Sequence, residues 1–334
     1  MILRVGIIGA GLIGHKRAAH LSDAKLIAVT DIVSSRAQDL ATSYHAAVEP
    51  SWQSLVQRKD IDAIIVATTH ESLVECSIAG LANGKHVLVE KPSGRYTHEI
   101  ERLQKASQNQ DKILRVGFNH RFHPTFQEAK DILKNELLGP LLLIRARYGH
   151  GGRLGYEKEW RADPHRSGGG ELLDQGVHLI DLCRWLGGEF ELEWGKIGTY
   201  FWDMPVEDNG FLCLKSNQGN ATAWLHASCT EWKNLFDFEI FTRSAKLQIF
   251  GLGGSYGPEE LRIYRMKPEM GSPDLETRSY PQSDTSWSTE FKAFVNEIKG
   301  ERTDIATIQD AYKAVQIVEK TYKLSSTPSP SCNA

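Results

Sequence analysis

The feature that most constrains this chain is a glycine-rich turn between an apolar run and a helical run near the N-terminus. It reads Gly9-Ala-Gly11-Leu-Ile-Gly14. In such a Gly-x-Gly-x-x-Gly turn, the first glycine permits the tight turn, the second lets a pyrophosphate approach the backbone, and the third allows close helix packing. The N–H groups at the helix start then favour a bound phosphate. The pattern predicts a dinucleotide site with contacts from Gly9, Gly11, Leu12 and Ile13.

A second apolar run follows the first helix and ends in a carboxylate. Leu26-Ile-Ala-Val-Thr leads directly into Asp31, at the spacing of about 20 residues that is typical of dinucleotide folds. A carboxylate at this position can bond both ribose hydroxyls, and it would repel a 2′-phosphate. We therefore expect NAD as the cofactor rather than NADP.

Strand-like and helix-like segments continue to alternate up to about residue 116. Ala63–Ala67, for example, is a continuous apolar run of the kind found in parallel strands that are buried on both faces. The alternation predicts an α/β domain with a doubly wound parallel sheet. Ligands bind at the carboxyl ends of such strands. Further cofactor contacts are therefore predicted from residues at or just after strand ends, namely Thr68, Thr69, His70, Glu90, Lys91 and Asn119.

The pattern changes beyond Gly117 to strand-like runs that are joined by polar turns and interrupted by one helix near Gly170–Leu186. It predicts an α+β domain with a large, open and mostly antiparallel sheet. One strand is expected at Gly195–Trp202, and residues 251–284 are expected to form loops and short edge strands. We assign residues 1–118 to the dinucleotide domain and 119–324 to the second domain, whose last helix can pack back on the first. The Ser/Pro-rich tail 325–334 is expected to be disordered.

Composition excludes several other classes of protein. The chain has 334 residues and a formal net charge of -3, which gives no reason to invoke nucleic acid. No apolar run approaches the ~20 residues that a membrane-spanning helix needs. The five cysteines are scattered and form no Cys-x-x-Cys pair, so neither a disulfide framework nor a metal site is expected. These properties predict a cytoplasmic protein that binds neither nucleic acid nor membrane.

The order of the later motifs resembles that of a known family. Glu90-Lys91-Pro92 follows the fifth strand, Trp160-Arg161 comes later, and Gly-Gly-Gly-Glu-Leu-Leu-Asp174-Gln-Gly-Val-His178 follows. With the glycine turn, this order resembles the Gfo/Idh/MocA family of NAD(P)-dependent oxidoreductases over all of the chain except its tail. The resemblance implies hydride transfer between nicotinamide and a carbinol carbon of a sugar, cyclitol or related polyol.

The resemblance also implies roles for individual residues. Lys91 would contact the substrate and the nicotinamide ribose, Asp174 and His178 would form the acid–base pair, and Trp160 and Arg161 would contact the cofactor. Oxidising an alcohol independently requires a base for its proton, and a carboxylate can orient an imidazole for that task. A structural histidine, or a helix-surface pair, is the alternative explanation of the Asp174–His178 spacing. The chain departs from the family where Thr68-Thr69-His70 replaces the usual Thr-Pro-Asn.

The segment Arg147–Arg166, which precedes the three glycines at 168–170, is rich in basic and aromatic residues. We expect it to select the substrate. Arginine forks suit phosphate or carboxylate groups, and tyrosines can stack on a base or a sugar. We therefore favour a nucleotide-sugar or sugar acid over a neutral polyol, while a solvated loop is the alternative. The predicted substrate contacts are Lys91, His150, Arg153, Tyr156, Arg166, Asp174 and His178.

Three functions remain open from the sequence. The first is an NAD-dependent dehydrogenase or ketoreductase that acts on a sugar, sugar acid or nucleotide-sugar. The second is a glycoside-processing enzyme that recycles bound NAD through oxidation and elimination, and the third is a non-catalytic nucleotide sensor.

An open sheet with one solvent face normally needs covering, so we also expect a homodimer or homotetramer through the second domain.

Overall fold

The computed structural model describes residues 2–108, 110–135 and 137–326. They group into two compact units. The first comprises residues 2–122, 165–168 and 285–313, and the second comprises 123–164, 169–284 and 314–326, with the gaps just given. The domain boundary that the sequence analysis places between residues 118 and 119 stays a prediction. Within the predicted tail, residues 325 and 326 instead end the last helix, and 327–334 lie outside the described residues.

The N-terminal part of the chain alternates strands and helices. In chain order these are β1 (Leu3–Ile8), α1 (Leu12–Ala19), β2 (Ala24–Thr30), α2 (Ser34–Tyr44), β3 (Ala47–Val48), α3 (Trp52–Gln57), β4 (Ala63–Val66), α4 (His70–Ala82), β5 (His86–Glu90), α5 (Thr97–Ser107) and β6 (Leu114–Gly117). The strands form one six-stranded sheet in the order β3-β2-β1-β4-β5-β6, and all described pairings are parallel. The predicted doubly wound parallel sheet is confirmed.

The remaining elements start with a 3-10 turn at Asn119–Phe122. They continue with α6 (Pro124–Asn135), β7 (Leu141–Gly149), 3-10 turns at Tyr156–Lys158 and Trp160–Ala162, α7 (Pro164–Ser167), a π turn at Leu172–Gly176, α8 (Val177–Gly187), β8 (Phe190–Gly198), β9 (Asn209–Ser216), β10 (Thr222–Ser228), β11 (Leu235–Thr242), β12 (Ala245–Phe250), β13 (Glu259–Arg265), β14 (Asp274–Tyr280), α9 (Ser286–Ile298) and α10 (Ile308–Ser326).

The core of the first unit lies on the β1–β4 region of the parallel sheet. Every residue of β4 is fully buried, because helices cover both faces of a parallel sheet and leave no solvent side. Phe291 and Phe294 of α9 belong to the same apolar cluster as Val5 and Ile65. The helix α9 therefore completes the core of a unit whose other elements lie far earlier in the chain.

The second unit contains an eight-stranded sheet in the order β14-β13-β12-β11-β7-β10-β9-β8. All neighbouring strands run antiparallel except β7 and β10, which are parallel. Burial alternates along β10, where Ala223, Leu225 and Ala227 are buried while Trp224 is exposed. Such alternation marks a sheet with one packed face and one open face. The predicted open, mostly antiparallel sheet is confirmed.

One strand prediction in this sheet needs correction. The strand expected at Gly195–Trp202 lies at Phe190–Gly198, and Tyr200, Phe201 and Trp202 instead donate their backbone N–H groups to the carboxylate of Asp208. The region 251–284, expected to form loops and short edge strands, contains two seven-residue strands, β13 and β14, and β14 lies at the edge of the sheet. No helix among the described residues is both long and apolar enough to cross a membrane.

Two glycines of the turn between β1 and α1 lie where a side chain would clash with the backbone. Gly9 adopts φ of +99°, which favours glycine, and a Cβ there would lie 2.4 Å from the carbonyl oxygen of Ala67. A Cβ at Gly14 would lie 2.0 Å from the carbonyl oxygen of Gly9. The third glycine of the motif therefore lets α1 pack directly on the turn.

Replacing Gly14 by alanine tests this packing. We expect Gly14→Ala to lower the free energy of unfolding by about 1–3 kcal/mol, the usual cost of overpacking, as measured by urea denaturation. Gly11→Ala is the matched control, because no described atom beyond its chain neighbours lies within 4 Å of a Cβ there. Equal stability of the two variants would contradict the proposed steric role.

Candidate functional site

The carboxylate of Asp31 connects the end of β2 to the glycine turn. Its Oδ2 accepts a hydrogen bond of 2.7 Å from the N–H of Ala10, and its Oδ1 accepts one of 2.8 Å from the N–H of Val33. A carboxylate that accepts hydrogen bonds from two backbone N–H groups is held in one orientation. The residue predicted to select the ribose is thus also a structural support of the turn.

The start of α1 offers open space where a phosphate is predicted. Gly11 is the N-cap of α1, and among the described residues no side chain caps it. The neighbouring Leu12 is exposed and Ile13 is half-buried. Uncapped N–H groups at a helix start form an anion site, so the residues present fit the phosphates of a dinucleotide.

The residues after β4 are arranged by local hydrogen bonds. The Oγ1 of Thr68 donates to the carbonyl of Thr69 at 3.0 Å, and Thr69 is the N-cap of α4. His70 begins α4, is buried, and has its Nδ1 2.8 Å from the carbonyl oxygen of Ser167. His70 therefore connects α4 to the segment 165–168, a role that the sequence did not indicate.

A buried ion cluster, missed by the sequence analysis, surrounds the end of β5. The guanidinium of Arg17 in α1 lies 2.5 Å from the carboxylates of both Glu90 and Glu290. Arg17 also stacks on Trp287, 4.6 Å from the ring centre. Burial raises the pKa of Glu290 to about 7, although the charge of Arg17 opposes this shift. The cluster holds Glu90, and hence the strand end before Lys91, against α1 and α9.

The other two predicted cofactor contacts of the first unit differ in burial. Lys91 is half-buried directly after β5. Asn119 is buried, with its Nδ2 donating to the Oγ of Ser286 at 2.9 Å and its Oδ1 lying 3.2 Å from Nδ1 of His120. The amide of Asn119 is thus engaged by α9 and by its neighbour in the chain.

The predicted acid–base residues lie in the second unit, where a π turn precedes α8. Asp174 lies within the π turn Leu172–Gly176, and His178 lies in the first turn of α8, so the helix predicted at Gly170–Leu186 is not a regular α-helix. Both side chains are buried, with exposures of 5% and 4%. Burying polar groups costs free energy unless they are hydrogen-bonded. Tyr148 makes an edge contact with His178, at 6.2 Å between ring centres.

Arg161 is the ion-pair partner that the structure gives to Asp174. Its Nε donates to Oδ2 of Asp174 at 2.8 Å, and its guanidinium stacks on Trp160 at 4.6 Å. Burial is the largest single effect on the pKa of Arg161 and lowers it, but the charge and hydrogen bond of Asp174, together with the charges of Tyr156 and Glu159, raise the pKa overall. The resemblance implied that Trp160 and Arg161 contact the cofactor, and that role stays a prediction. The observed contact shows that Arg161 orients the carboxylate of the proposed acid–base pair.

Of the predicted substrate contacts, His150 and Tyr156 lie close together, with ring centres 5.6 Å apart. Arg153 is 70% exposed and pairs with Glu159 at 2.6 Å. Arg166 belongs to the first unit, where it pairs with Glu71 at 3.0 Å. Each of the two arginines expected to bind an anion is therefore already engaged by a carboxylate of its own unit.

Glu207, which the sequence analysis missed, holds the turn that carries Asp174. Its carboxylate accepts hydrogen bonds from the N–H groups of Gly170 and Leu172, at 2.9 and 3.1 Å, and from the hydroxyl of Tyr322 at 2.7 Å. The residue is fully enclosed, and burial raises its pKa to about 7. A buried carboxylate with three donors fixes the backbone directly before the π turn.

The sequence matches two family models. Residues 3–118 match the model described as "Oxidoreductase family, NAD-binding Rossmann fold", and residues 126–256 match the "GFO/IDH/MocA C-terminal domain".

Among the described residues, no group of three or more His, Cys, Asp or Glu side chains is arranged to hold a metal ion.

Several named proteins are similar to the chain. It is 26% identical to D-glucoside 3-dehydrogenase of Escherichia coli, over 97% of this chain and 96% of that one. It is also 26% identical to levoglucosan dehydrogenase of Pseudarthrobacter phenanthrenivorans, over 65% of this chain but only 59% of the relative. With inositol 2-dehydrogenase of Salmonella typhimurium, it shares 27% identity over 60% of this chain and 58% of the relative.

Solved structures have the same fold at lower sequence identity. A levoglucosan dehydrogenase in complex with NADH and levoglucosan superposes with a TM-score of 0.85 at 21% identity, covering 97% of this chain and 98% of that one. A 3-ketoreductase from Actinomadura kijaniata, in complex with NADP and TDP-benzene, gives a TM-score of 0.81 at 20% identity, covering 97% and 98%. These likenesses establish the fold.

Replacing Glu207 by glutamine tests its support of the turn. The amide places an N–H group against a backbone N–H group, which we expect to lower the free energy of unfolding by about 1–3 kcal/mol. Between an unfolded pKa of roughly 4.3 and the folded value of about 7, the folded protein binds more protons, so wild-type stability falls as the pH rises through this window. Glutamine does not titrate. The difference in free energy of unfolding between wild type and Glu207→Gln should therefore narrow from pH 5 to pH 8.

Urea unfolding at the two pH values measures this gap. Tyr322→Phe serves as the control, because it removes one donor and leaves the carboxylate in place; the pH dependence should persist in that variant. A gap between wild type and Glu207→Gln that widens as the pH rises would contradict the assignment.

Proposed function

The chain belongs to the Gfo/Idh/MocA family of oxidoreductases, and from that premise we propose that it transfers a hydride between NAD and a carbinol or keto carbon of a sugar-type substrate. The observation that carries the proposal is the pair of buried residues Asp174 and His178, on a turn held by a buried carboxylate. Retaining polar side chains in such surroundings costs stability, which is typical of residues kept for chemistry.

Each residue has a distinct task in the proposed reaction. When bound, a nicotinamide dinucleotide would supply the hydride acceptor for oxidation and the hydride donor for reduction. His178 takes the proton of the substrate hydroxyl as the carbon–hydrogen bond breaks, and returns it in the opposite direction. Asp174, oriented by Arg161, stabilises the imidazolium that forms. Lys91 stabilises the developing negative charge on the substrate oxygen.

The nature of the cofactor follows from Asp31 and the start of α1. Gly11 leaves space for phosphates at the N-terminus of α1, and Asp31 brings a negative charge to the end of β2. That charge favours ribose hydroxyls as partners and disfavours a 2′-phosphate. We therefore propose NAD over NADP, with Gly9, Gly11, Leu12, Ile13 and Asp31 as contacts.

The open face of the large sheet supports assembly into a homo-oligomer. A depression of about 430 Å³ on this face is lined by Arg145, Arg147, Trp224 and Asp237, among others. Trp194 and Trp224 stack there with ring centres 5.6 Å apart, and both are more than two-fifths exposed. Burying such aromatic surface is favourable, so we propose a homodimer or homotetramer through this face.

Substituting His178 tests the proposed chemistry. We expect His178→Gln to reduce kcat at least 100-fold, the usual contribution of a general base, while the binding of NADH, measured by fluorescence, is retained. The control is His98→Gln, which changes an exposed histidine in α5. Formation of NADH at 340 nm would be followed with a panel of sugars, glycosides and cyclitols. Unchanged turnover by His178→Gln would remove the residue from the mechanism.

The choice of cofactor is tested at Asp31. Asp31→Asn removes the charge but retains an oxygen acceptor, so the ratio of kcat/KM for NADP over that for NAD should rise about tenfold, equivalent to about 1.4 kcal/mol. Asp39→Asn in α2, an exposed aspartate of the same unit, is the control. If the ratio stayed constant in Asp31→Asn, the carboxylate would not determine the cofactor.

A further inference from the structure

We propose that Arg17 is a positioning residue for the proposed reaction and that it acts through Glu90 to fix the position of Lys91. This inference rests on the proposed function and adds to it a residue that no motif in the sequence singles out. The side chain of Arg17 is 1% exposed, so it can act on a substrate only through the groups that it holds.

The guanidinium of Arg17 joins α1, β5 and α9 in one buried cluster. Its Nε donates to Oε1 of Glu90, and its Nη1 donates to Oε2 of Glu290, each at 2.5 Å. The two carboxylate side chains are 9% and 0% exposed. Buried ion pairs are screened little by salt, and the planar fork of an arginine fixes the direction of each hydrogen bond. The two carboxylates therefore hold Arg17 from two sides.

The last residue of β6 leaves space for this cluster. Gly117 pairs with Glu90 in the parallel sheet. A Cβ on Gly117 would lie 2.4 Å from Nη2 of Arg17 and 3.1 Å from both carboxylate oxygens of Glu90. Any side chain at this position would displace one of the two charged groups. Glu90 is therefore enclosed between α1 and β6 and has little freedom to move.

Lys91 follows Glu90 in a tight turn that is fixed at both ends. The N–H of Ser93 donates to the carbonyl oxygen of Glu90 at 3.0 Å. Ser93 is fully buried and has φ of +72°, a left-handed conformation that costs free energy in a residue other than glycine. The surrounding structure offsets this cost by fixing the turn. The backbone of Lys91, which is half-buried, is thus held between Glu90 and Ser93.

A lysine that stabilises charge on a substrate oxygen must be placed accurately. Such stabilisation depends on preorganised groups, and a misplacement of about 1 Å can cost about 100-fold in rate. The four-carbon stem of a lysine is flexible, so the fold controls the position of its charge mainly through the backbone. Arg17 supplies that control at the residue directly before Lys91.

Replacing Arg17 by lysine tests the inference, because lysine keeps the positive charge but lacks the rigid fork that joins two carboxylates. Arg17→Lys should lower kcat about 10- to 100-fold and change the Kd of NADH less than about threefold. Hydrogen exchange, measured by mass spectrometry, should become faster in the segment 89–94.

Arg102→Lys is the matched control. Arg102 also pairs with a glutamate, Glu75, at 2.7 Å, but both side chains are 54% exposed. Exposed pairs contribute little, so this variant should keep the wild-type kcat and the wild-type exchange in the segment 89–94.

The effect on kcat should depend on Lys91. In a Lys91→Met background, Arg17→Lys should lower the residual kcat less than about threefold, because changes that act through one group are not additive. A merely structural role of Arg17 would instead lower kcat by the same factor in both backgrounds, and that result would overturn the inference.

Gly117→Ala is the second variant, for the case that Arg17→Lys does not fold. Its methyl group would displace Arg17 or Glu90 without removing a charge. It should therefore speed exchange in the segment 89–94 and lower kcat in the same Lys91-dependent way. Wild-type exchange in this segment in every variant that folds would overturn the inference, and so would faster exchange with an unchanged kcat.

Hydrogen exchange also separates this inference from the proposed function, because it needs no turnover. If wild type forms no NADH with any substrate while exchange becomes faster in the variants, the proposed function fails and the hold of Arg17 on Lys91 stands. If wild type forms NADH and the variants match it in kcat and in exchange, the function stands and the inference fails.

Discussion

Carboxylates that accept hydrogen bonds from backbone N–H groups hold the turns on which the rest of this structure depends. Asp31 binds the glycine turn, Glu207 binds the turn before Asp174, and Asp208 binds the loop after β8. In each case a short loop would otherwise leave backbone donors unpaired, and the carboxyl oxygens both satisfy these donors and select one conformation. The turns next to the proposed chemistry are therefore rigid, although they lie outside regular helices and strands.

Much of the fold could be predicted because its signals are local. The continuous apolar run of β4 indicates a strand buried on both faces, and the glycine turn with Asp31 spans a single β-α-β unit. The errors arise where a distant partner overrides local preference. Tyr200, Phe201 and Trp202 favour a strand by residue type, yet the carboxylate of Asp208 takes their N–H groups. The edge strand β14 is mostly polar, because most of its residues face solvent, so the sequence predicted edge strands within 251–284 without their bounds.

The candidate site was predictable only where a motif carries its residues. Asp174 and His178 stand in such a motif, whereas Glu207 lies more than thirty residues from the N–H groups that it binds. Arg17 could have been suspected, since it shares the buried face of α1 with Gly14 and Ala18 and a buried charge requires partners. Its partners, Glu90 and Glu290, come from two elements far apart in sequence, and no spacing rule connects them.

The π turn before α8 has a consequence for how relatives of this chain can diverge. Such a turn has hydrogen bonds from residue i to residue i+5 and so contains one residue more than an α-helical turn. Removing one residue from 172–176 would restore regular winding and rotate everything N-terminal to it by about 100°. Glu171 and Asp174 would then face other neighbours, while the stretch of α8 that packs on the sheet would stay in register. A one-codon deletion would thus redirect the polar groups, and it would also turn the N–H groups of Gly170 and Leu172 away from Glu207.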